Sequence, residues 1–159
     1  MTVNSKIPVQ FIMMLLPMVF IPLVLMPSTL SMIHVWWVNE TFTHGFLILP
    51  IVLWMLWQKI DDFRLLPIQP EPRVLLLIGL LSLVWFTALV VDVQVVQHFA
   101  LVLLIQSSIW MMLGRQAVIQ FFFPLAYLIF MVPVGQGLIS PMMEFTASFT
   151  VSLIQLTGI

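Results

Sequence analysis

Few side chains in this sequence could do chemistry, and the three histidines, His34, His44 and His98, are the clearest candidates. Imidazole serves as a general base or as a metal ligand. Their spacing matches no ligand pattern such as the His-Glu-x-x-His helix. The chain has no cysteine, which removes a thiolate nucleophile, a thiolate metal site and a disulfide. We therefore predict no metal and no cofactor.

Serine offers no better route to catalysis. A serine nucleophile needs a neighbouring base, and no Gly-x-Ser-x-Gly turn is present. Gln106, Ser107 and Ser108 lie near the middle of an apolar stretch. Such residues usually form interhelical hydrogen bonds worth about 1 kcal/mol or less. A transport pathway is the alternative, but no Asp, Lys or Arg lies beside them. The sequence predicts no catalytic set within these residues.

The composition indicates an integral membrane protein. Hydrophobic residues make up 62% of the chain and charged residues only 7%. A soluble domain has about 25% charged residues, so this chain could not cover itself with a polar surface. There is no basic patch for nucleic acid, and the expected partner is membrane lipid. No repeat or composition boundary divides the chain, which predicts a single membrane domain over residues 1–159.

The apolar stretches predict an all-α, polytopic fold with about five transmembrane helices. The second, from Trp37 to Trp57, would be about 30 Å long, and tryptophan pairs at both ends are typical of interfacial belts. Prolines would kink the first helix, and Ser31–Glu40 would be a loop. The five predicted spans are Phe11–Leu30, Trp37–Trp57, Val74–Val91, Val95–Leu113 and Val118–Val132.

A sixth helix is predicted over Pro141–Gly158, with Ser140 as its N-cap and proline at its first position. Its polar residues recur at spacings that place them on one face. A lipid-facing span would have to bury them at a cost. We expect an amphipathic helix that lies at the interface or lines a cavity, with crossing as the sixth span as the alternative. The polar face consists of Glu144, Ser148, Ser152 and Gln155.

Charge placement predicts the orientation. With five spans, every cation falls on the same side, and cationic loops stay in the cytoplasm. The N-terminus is therefore expected to be cytoplasmic. The cations are Lys6, Lys59, Arg64, Arg73 and Arg115, and the opposite side receives His34, Glu40, His44, Asp92, His98 and Glu144.

Three segments resemble those of one known family. They are Thr43-His44-Gly45-Phe46-Leu47, the run from Phe123-Pro124-Leu125-Ala126 to Pro133-Val134-Gly135, and the stretch from Phe145 through Val151 to Ile159. Their order and spacing are similar to those of exosortases, which are membrane-embedded cysteine transpeptidases of Gram-negative bacteria. The resemblance covers about residues 36–159.

This resemblance implies a multi-pass protein of the bacterial cytoplasmic (inner) membrane. Its partners would be the C-terminal tails of exported proteins, each with a Pro-Glu-Pro motif, a transmembrane helix and a basic cluster. The family cuts near that tail, outside the membrane, through a cysteine aided by arginine. Because this chain has no cysteine, the resemblance implies an N-terminal membrane portion without the catalytic region, inactive by itself, as a truncated product, a draft fragment or one piece of a split protein.

Five residues are candidates for a site on the substrate side, namely Thr43, His44, Gly45, Gly135 and Glu144. In a purely structural interpretation, His44 is an interfacial residue at a helix start and Gly45 permits close helix packing. Two other functions remain open, a membrane component of envelope polysaccharide export and a non-catalytic membrane scaffold.

The predicted orientation can be tested with reporter fusions. Fusions at Pro67 and Gln116 are expected to report a cytoplasmic location, because cations flank both positions. Fusions at Asn39 and Gln94 are expected to report an external one. A cytoplasmic signal at Asn39 would overturn the orientation and remove the first helix as a span.

Overall fold

The structure is a computed structural model that describes the backbone of residues 7–156 and the side chains of 7–135 and 141–155. Within that range it is helical, with no strand, which confirms the all-α prediction. Short 3₁₀ turns cover Glu40–Phe42 and Leu128–Met131. The α-helices are α1 (Val9–Val24), α2 (Met26–Val38), α3 (Gly45–Gln58), α4 (Ile60–Leu65), α5 (Val74–Val90), α6 (Gln94–Leu113), α7 (Arg115–Gln120), α8 (Phe122–Tyr127) and α9 (Gln136–Leu156).

Helix α6 is the centre of the packing. Half of the side chains in its 18-residue apolar window are buried, and α1, α2, α5 and α7 all contact it. Leu101, Ile109 and Leu113 are completely enclosed. The helix ends at Gly114, whose N–H donates to Trp110 O (2.8 Å) and whose φ is +90°. The predicted end of the fourth span at Leu113 is confirmed.

The first predicted span is a bent pair of helices rather than one kinked helix. α1 and α2 meet at Leu25 at an angle of 92°. Neither Pro22 nor Pro27 has an N–H, so the helical ladder is weakened on both sides of the bend. The Thr29 hydroxyl donates to Pro22 O (2.8 Å), which satisfies a carbonyl that the break leaves free.

The segment Ser31–Glu40, predicted as a loop, is mostly helical, since α2 continues to Val38. It has no glycine or proline to stop it, and the prediction was wrong there. Asn39 then ends the helix. Its Oδ1 accepts a hydrogen bond from Thr41 N (3.1 Å), which starts the next 3₁₀ turn.

The predicted helix from Trp37 to Trp57 is therefore interrupted, and α3 begins only at Gly45. The two tryptophan pairs still lie at opposite ends of α3. Trp57 contacts the Phe11 ring at one end (centroids 5.9 Å apart), and Trp36 contacts Gly45 at the other. Trp36 is only 7% exposed, so it is a packing residue and not a member of an interfacial belt.

The fifth predicted span is broken into α7, α8 and a 3₁₀ turn that ends at Met131. Pro124 is the physical reason, because it cannot donate to Gln120 O and its ring disfavours a regular helix through that carbonyl. The backbone of Phe121 leaves the helical region there (φ −105°, ψ 25°).

Helix α9 begins at Gln136 and contains Pro141, so the predicted start at Ser140–Pro141 was wrong. Every side chain described in it, over residues 141–155, is exposed. Three hydroxyls on the helix donate to its own backbone. The donors are Thr146, Thr150 and Ser152, each bonded to the carbonyl four residues earlier. This lowers the cost of placing Ser152 in lipid, so the polar face argues less strongly against a span. The membrane course of α9 stays a prediction.

Two helical segments are long and apolar enough to cross a membrane, Glu40–Gln58 with 19 residues and Gln94–Leu113 with 20. The bent pair α1–α2 is a third if it counts as one span. Val74–Val90 and Phe122–Met131 are shorter apolar helices. Within residues 7–156 a polytopic, all-helical membrane fold is confirmed, while length alone supports two or three spans rather than five.

The loop before α5 closes one end of the bundle. Glu71 N donates to Met111 O (3.0 Å), and its carboxylate accepts from Trp110 Nε1 and from Arg115 N (both 3.1 Å). One residue thus stabilises the end of α6 and the start of α7. Gln69 N donates to Leu113 O (3.3 Å) beside it.

The cations share this end, which we call the cation end. Gln10 Nε2 donates to Leu66 O (3.2 Å), which places the start of α1 there as well. The predicted grouping thus agrees with the contacts for the four described cations, and Lys6 lies outside the described residues. The membrane side that the cations face stays a prediction. The cation end is defined by Lys59, Arg64, Arg73 and Arg115.

Gly114 should be one of the least replaceable residues of the fold. An added Cβ would collide with Gln69 O, and its backbone conformation favours glycine. We expect Gly114→Ala to cost about 1–3 kcal/mol or more. Gly79→Ala is the matched control, since nothing lies within 4 Å of its Cβ position, and inside α5 it should gain up to about 1 kcal/mol. Thermal unfolding in detergent micelles measures both. Equal melting temperatures for the two variants would contradict the account.

Candidate binding site at the distal end

The opposite end of the bundle, which we call the distal end, is defined by Trp36, Gly45 and Met131. Gly45 is the first residue of α3 and is buried. A Cβ at this position would lie 2.5 Å from Cε2 and Nε1 of Trp36. The glycine therefore makes room for the indole, which confirms the prediction that it permits close helix packing.

Trp36 also contacts the second motif. Its Nε1 donates to Met131 O at 3.0 Å, in a buried hydrogen bond between residues 95 apart in sequence. The Phe46 ring packs edge-on against the indole (centroids 5.3 Å). The Thr-His-Gly segment and the segment ending at Gly135 thus meet through a residue that belongs to neither. Sequence reasoning missed this role because a tryptophan beside a membrane surface is usually interfacial.

Thr43 and His44 lie at the surface of the distal end. The Thr43 hydroxyl donates to Glu40 O (3.1 Å). His44 Nδ1 is 3.1 Å from Thr41 O, and a bond to a carbonyl requires a proton on Nδ1. The neutral imidazole then presents Nε2 as an acceptor. Because both residues are exposed, they are accessible to a partner.

Gly135 and Glu144 differ in how they relate to this end. Gly135 has φ +103° with no atom within 4 Å of its Cβ position, so its backbone conformation, not space, favours glycine. It follows the buried residues Met131, Val132 and Pro133. Glu144 is exposed on α9, and no hydrogen bond or ion pair joins its carboxylate to another residue that the structure describes. The contacts thus connect Gly45 with the segment before Gly135, but not with Glu144.

A wide, open hollow of about 590 Å³ lies at the distal end. Polar and apolar groups line it in similar amounts. It adjoins Thr43 and His44 through Thr41. In the part of the chain that the structure describes, no group of three His, Asp or Glu residues is arranged to hold a metal ion. The lining residues are His34, Val35, Val38, Asn39, Glu40, Thr41 and Gln94.

Helix α2 is attached to α5 and α6 by a buried polar network. The Ser28 hydroxyl donates to Gln97 Oε1 (3.0 Å) and accepts from Trp85 Nε1 (2.9 Å). Gln97 Nε2 donates to Ala88 O (3.2 Å). Ser28 and Gln97 are both buried, so each would be costly to leave without a partner. Sequence reasoning missed this set. The signal for it was the adjacent polar pair Gln97 and His98 near the start of the apolar helix α6.

A second, partly buried pair joins Ser31 to the buried His98. Ser31 Oγ lies 2.7 Å from His98 Nε2 and 3.0 Å from Ser28 O. A hydroxyl has one proton, so both bonds form only if His98 Nε2 donates and Ser31 donates to the carbonyl. His98 Nδ1 then has no partner among the described atoms. No acid among the described residues orients the imidazole, and the pair positions α2 on α6.

The fourth predicted span also has its interhelical hydrogen bond. Gln106 Nε2 donates to Leu125 O at 2.7 Å, which connects α6 with α8. The prediction that a polar residue in this span would bond to a neighbouring helix is confirmed. The bond also satisfies a carbonyl close to Pro124, where the helical ladder is interrupted.

One comparison with known proteins identifies a family. A family model described as transmembrane exosortase matches residues 36–159. The match begins at Trp36 and includes Thr43, His44, Gly45 and Gly135. Neither the curated proteins nor the solved structures gave a match.

The contact between Gly45 and Trp36 predicts a strong coupling. Gly45→Ala should destabilise the fold by about 1–3 kcal/mol, because the buried indole has no room to move. In a Trp36→Leu background the same change should cost at least about 1 kcal/mol less, since contacting residues are not additive. Unfolding of the four proteins in one detergent gives the coupling energy. Additive effects would show that the two residues do not touch.

The Ser31–His98 pair predicts that removing one partner lowers stability more than removing both. Ser31→Ala leaves both imidazole nitrogens without a partner and should cost about 1–3 kcal/mol. Ser31→Ala with His98→Leu should be closer to the wild type in stability, because no buried polar atom is then left unpaired. Ser82→Ala, at an exposed position of α5, is the control and should change stability by less than about 0.5 kcal/mol. A double variant less stable than Ser31→Ala alone would contradict the assignment.

Proposed function

Since the chain belongs to the transmembrane exosortases, we propose that its membrane domain binds the C-terminal tails of exported proteins at the distal end. The supporting observation is the contact of Trp36 with both Gly45 and Met131 O. It brings two of the three family-like segments to one place. The exposed Thr43 and His44 stand beside that contact, next to the open hollow.

The lining of the hollow includes the Glu40 carboxylate, which would repel an acidic tail, and several donors that suit an extended tail containing proline. Asn39 uses its Oδ1 to accept from Thr41 N, so its amide nitrogen remains a donor toward the hollow. The side-chain amide of Gln94 and the imidazole of His34 can also donate. These groups can bind a glutamate carboxylate and the carbonyls beside prolines, which lack an N–H of their own. The side-chain amides of Asn39 and Gln94 provide these hydrogen bonds without a fixed positive charge.

The proposed orientation places the distal end outside the cytoplasmic membrane. The four described cations all lie at the other end, and such clusters remain on the cytoplasmic side. Exported proteins would then meet the hollow after crossing the membrane. The N-terminus, beside the cation end, would be cytoplasmic.

We assign binding, and not bond cleavage, to these 159 residues. Cleavage in the family that they resemble uses a cysteine, and this sequence has none. Among the described residues no alternative set takes its place, because the partly buried Ser31–His98 pair has no acid that orients the imidazole. The domain would hold the tail in position for a reaction whose nucleophile these residues do not supply.

A single-cysteine experiment tests the binding site. Because the sequence has no cysteine, a maleimide can react only with the introduced thiol. Thr43→Cys and Leu65→Cys each receive a maleimide benzophenone. Leu65 is the matched control, 85% exposed but in α4 at the cation end. With a membrane-anchored Pro-Glu-Pro tail, we expect photocapture from position 43 and not from position 65, because only the distal end adjoins the hollow.

Replacing Pro-Glu-Pro with three alanines should lower capture at position 43. Equal capture from positions 43 and 65, or capture that does not respond to the alanine tail, would contradict the proposed site. Thermal unfolding of both labelled proteins shows that neither label has disturbed the fold.

A further inference from the structure

An apolar cavity of about 150 Å³ lies under α2, between that helix and α1, α3 and α6. It is distinct from the polar hollow, since no residue lines both. Its rim includes Ile33 and Leu49, which are 37% and 40% exposed. Its deeper walls are buried side chains, among them Met18, Met32, Trp36, Leu101, Ile105 and Met131.

The cavity has no free polar group in its walls to bind a water molecule. Its two polar wall groups already have partners, as Thr29 Oγ1 donates to Pro22 O (2.8 Å) and Trp36 Nε1 donates to Met131 O (3.0 Å). A buried water needs two to four polar partners, whereas an apolar cavity of about 150 Å³ stays dry and takes a small hydrocarbon. The occupant must therefore be apolar.

The position of the cavity identifies the source of that hydrocarbon. Its walls belong to α1, α3 and α6, which lie in the candidate membrane spans. The rim residue Leu49 lies about one turn into α3, with an apolar surface beside it. Lipid chains are the apolar molecules in contact with such a surface. Three flexible methionines, Met18, Met32 and Met131, let the walls adapt to a chain of irregular shape.

We infer that this cavity binds a segment of a membrane-lipid acyl chain, which enters between Ile33 and Leu49 and contacts Trp36. The bound acyl chain supports the underside of α2, which is also held by hydrogen bonds at Ser28, Ser31 and Trp36 and by the packing of Trp36 against Gly45. The inference does not depend on tail binding, because the hollow and the cavity share no residue.

Photolabelling of the whole chain in lipid nanodiscs tests the inference. The probe is phosphatidylcholine with a diazirine in its acyl chain, and adducts are mapped by peptide mass spectrometry. Annular lipid should label exposed residues such as Leu76, which is 82% exposed. Only a chain inside the cavity can also label Met32, which is 2% exposed. We expect adducts at both positions.

Filling the cavity with a larger side chain should lower labelling of Met32 but not labelling of Leu76. Leu101→Phe and Ile105→Phe should each lower labelling of Met32 by at least about fivefold, because the ring takes the space of the chain. Labelling of Leu76 should not change, and thermal unfolding shows which variant remains folded. Adducts at Leu76 alone, or Met32 labelling unchanged in a folded variant, would overturn the inference. So would labelling of Met32 by a tail peptide with a diazirine-bearing leucine but not by the lipid.

Discussion

The indole of Trp36 joins α2 to α3 and to the 3₁₀ turn Leu128–Met131 at the distal end. Its ring occupies the space left by Gly45, and its N–H donates to Met131 O. An indole that is 7% exposed must have a partner for its N–H, so neither contact can be lost without cost. To place this residue above α3, α2 has to turn away from α1 by 92°. The prolines around the bend make that turn possible, because they remove the hydrogen bonds that would keep the helix straight.

The two ends of the bundle are stabilised by different interactions. At the cation end, Glu71 caps two helix ends with its backbone and its carboxylate. At the distal end, aromatic packing and buried polar pairs hold α2 in place. In a bilayer the hydrophobic effect does not press one helix against another, so packing and hydrogen bonds determine the arrangement. The arrangement of the helices at the distal end therefore depends on a few specific contacts. These contacts can fix the positions of the residues around the hollow although the hollow itself is open.

The features predicted from the sequence are those that depend on local chemistry. Composition predicted the membrane class, and the apolar stretch predicted the end of α6 at Leu113. The glycine at position 45 predicted close packing, and the positions of the cations predicted their common end. The 92° bend was not predicted, because prolines show where a helix is weak but not where the chain goes next. That direction is set by Ser28–Gln97 and Trp36–Met131, which join residues 69 and 95 apart. Pro124 was a local signal for the interruption of the fifth predicted span at Phe121. How far the helix is broken depends on the packing of α8 against α3, which the sequence does not show.

Hydrogen exchange of the tryptophan indoles tests the role of Trp36 most directly. Trp36 and Trp37 are neighbours on α2, but Trp36 is buried with a bonded N–H and Trp37 is 81% exposed. In detergent or nanodiscs, ¹⁵N NMR should show the Trp36 indole proton exchanging at least about a hundredfold more slowly than that of Trp37, since exchange requires the buried bond to open. Gly45→Ala should reduce this difference. Equal exchange at Trp36 and Trp37 in the unmodified protein would contradict the central claim that this indole joins the two segments.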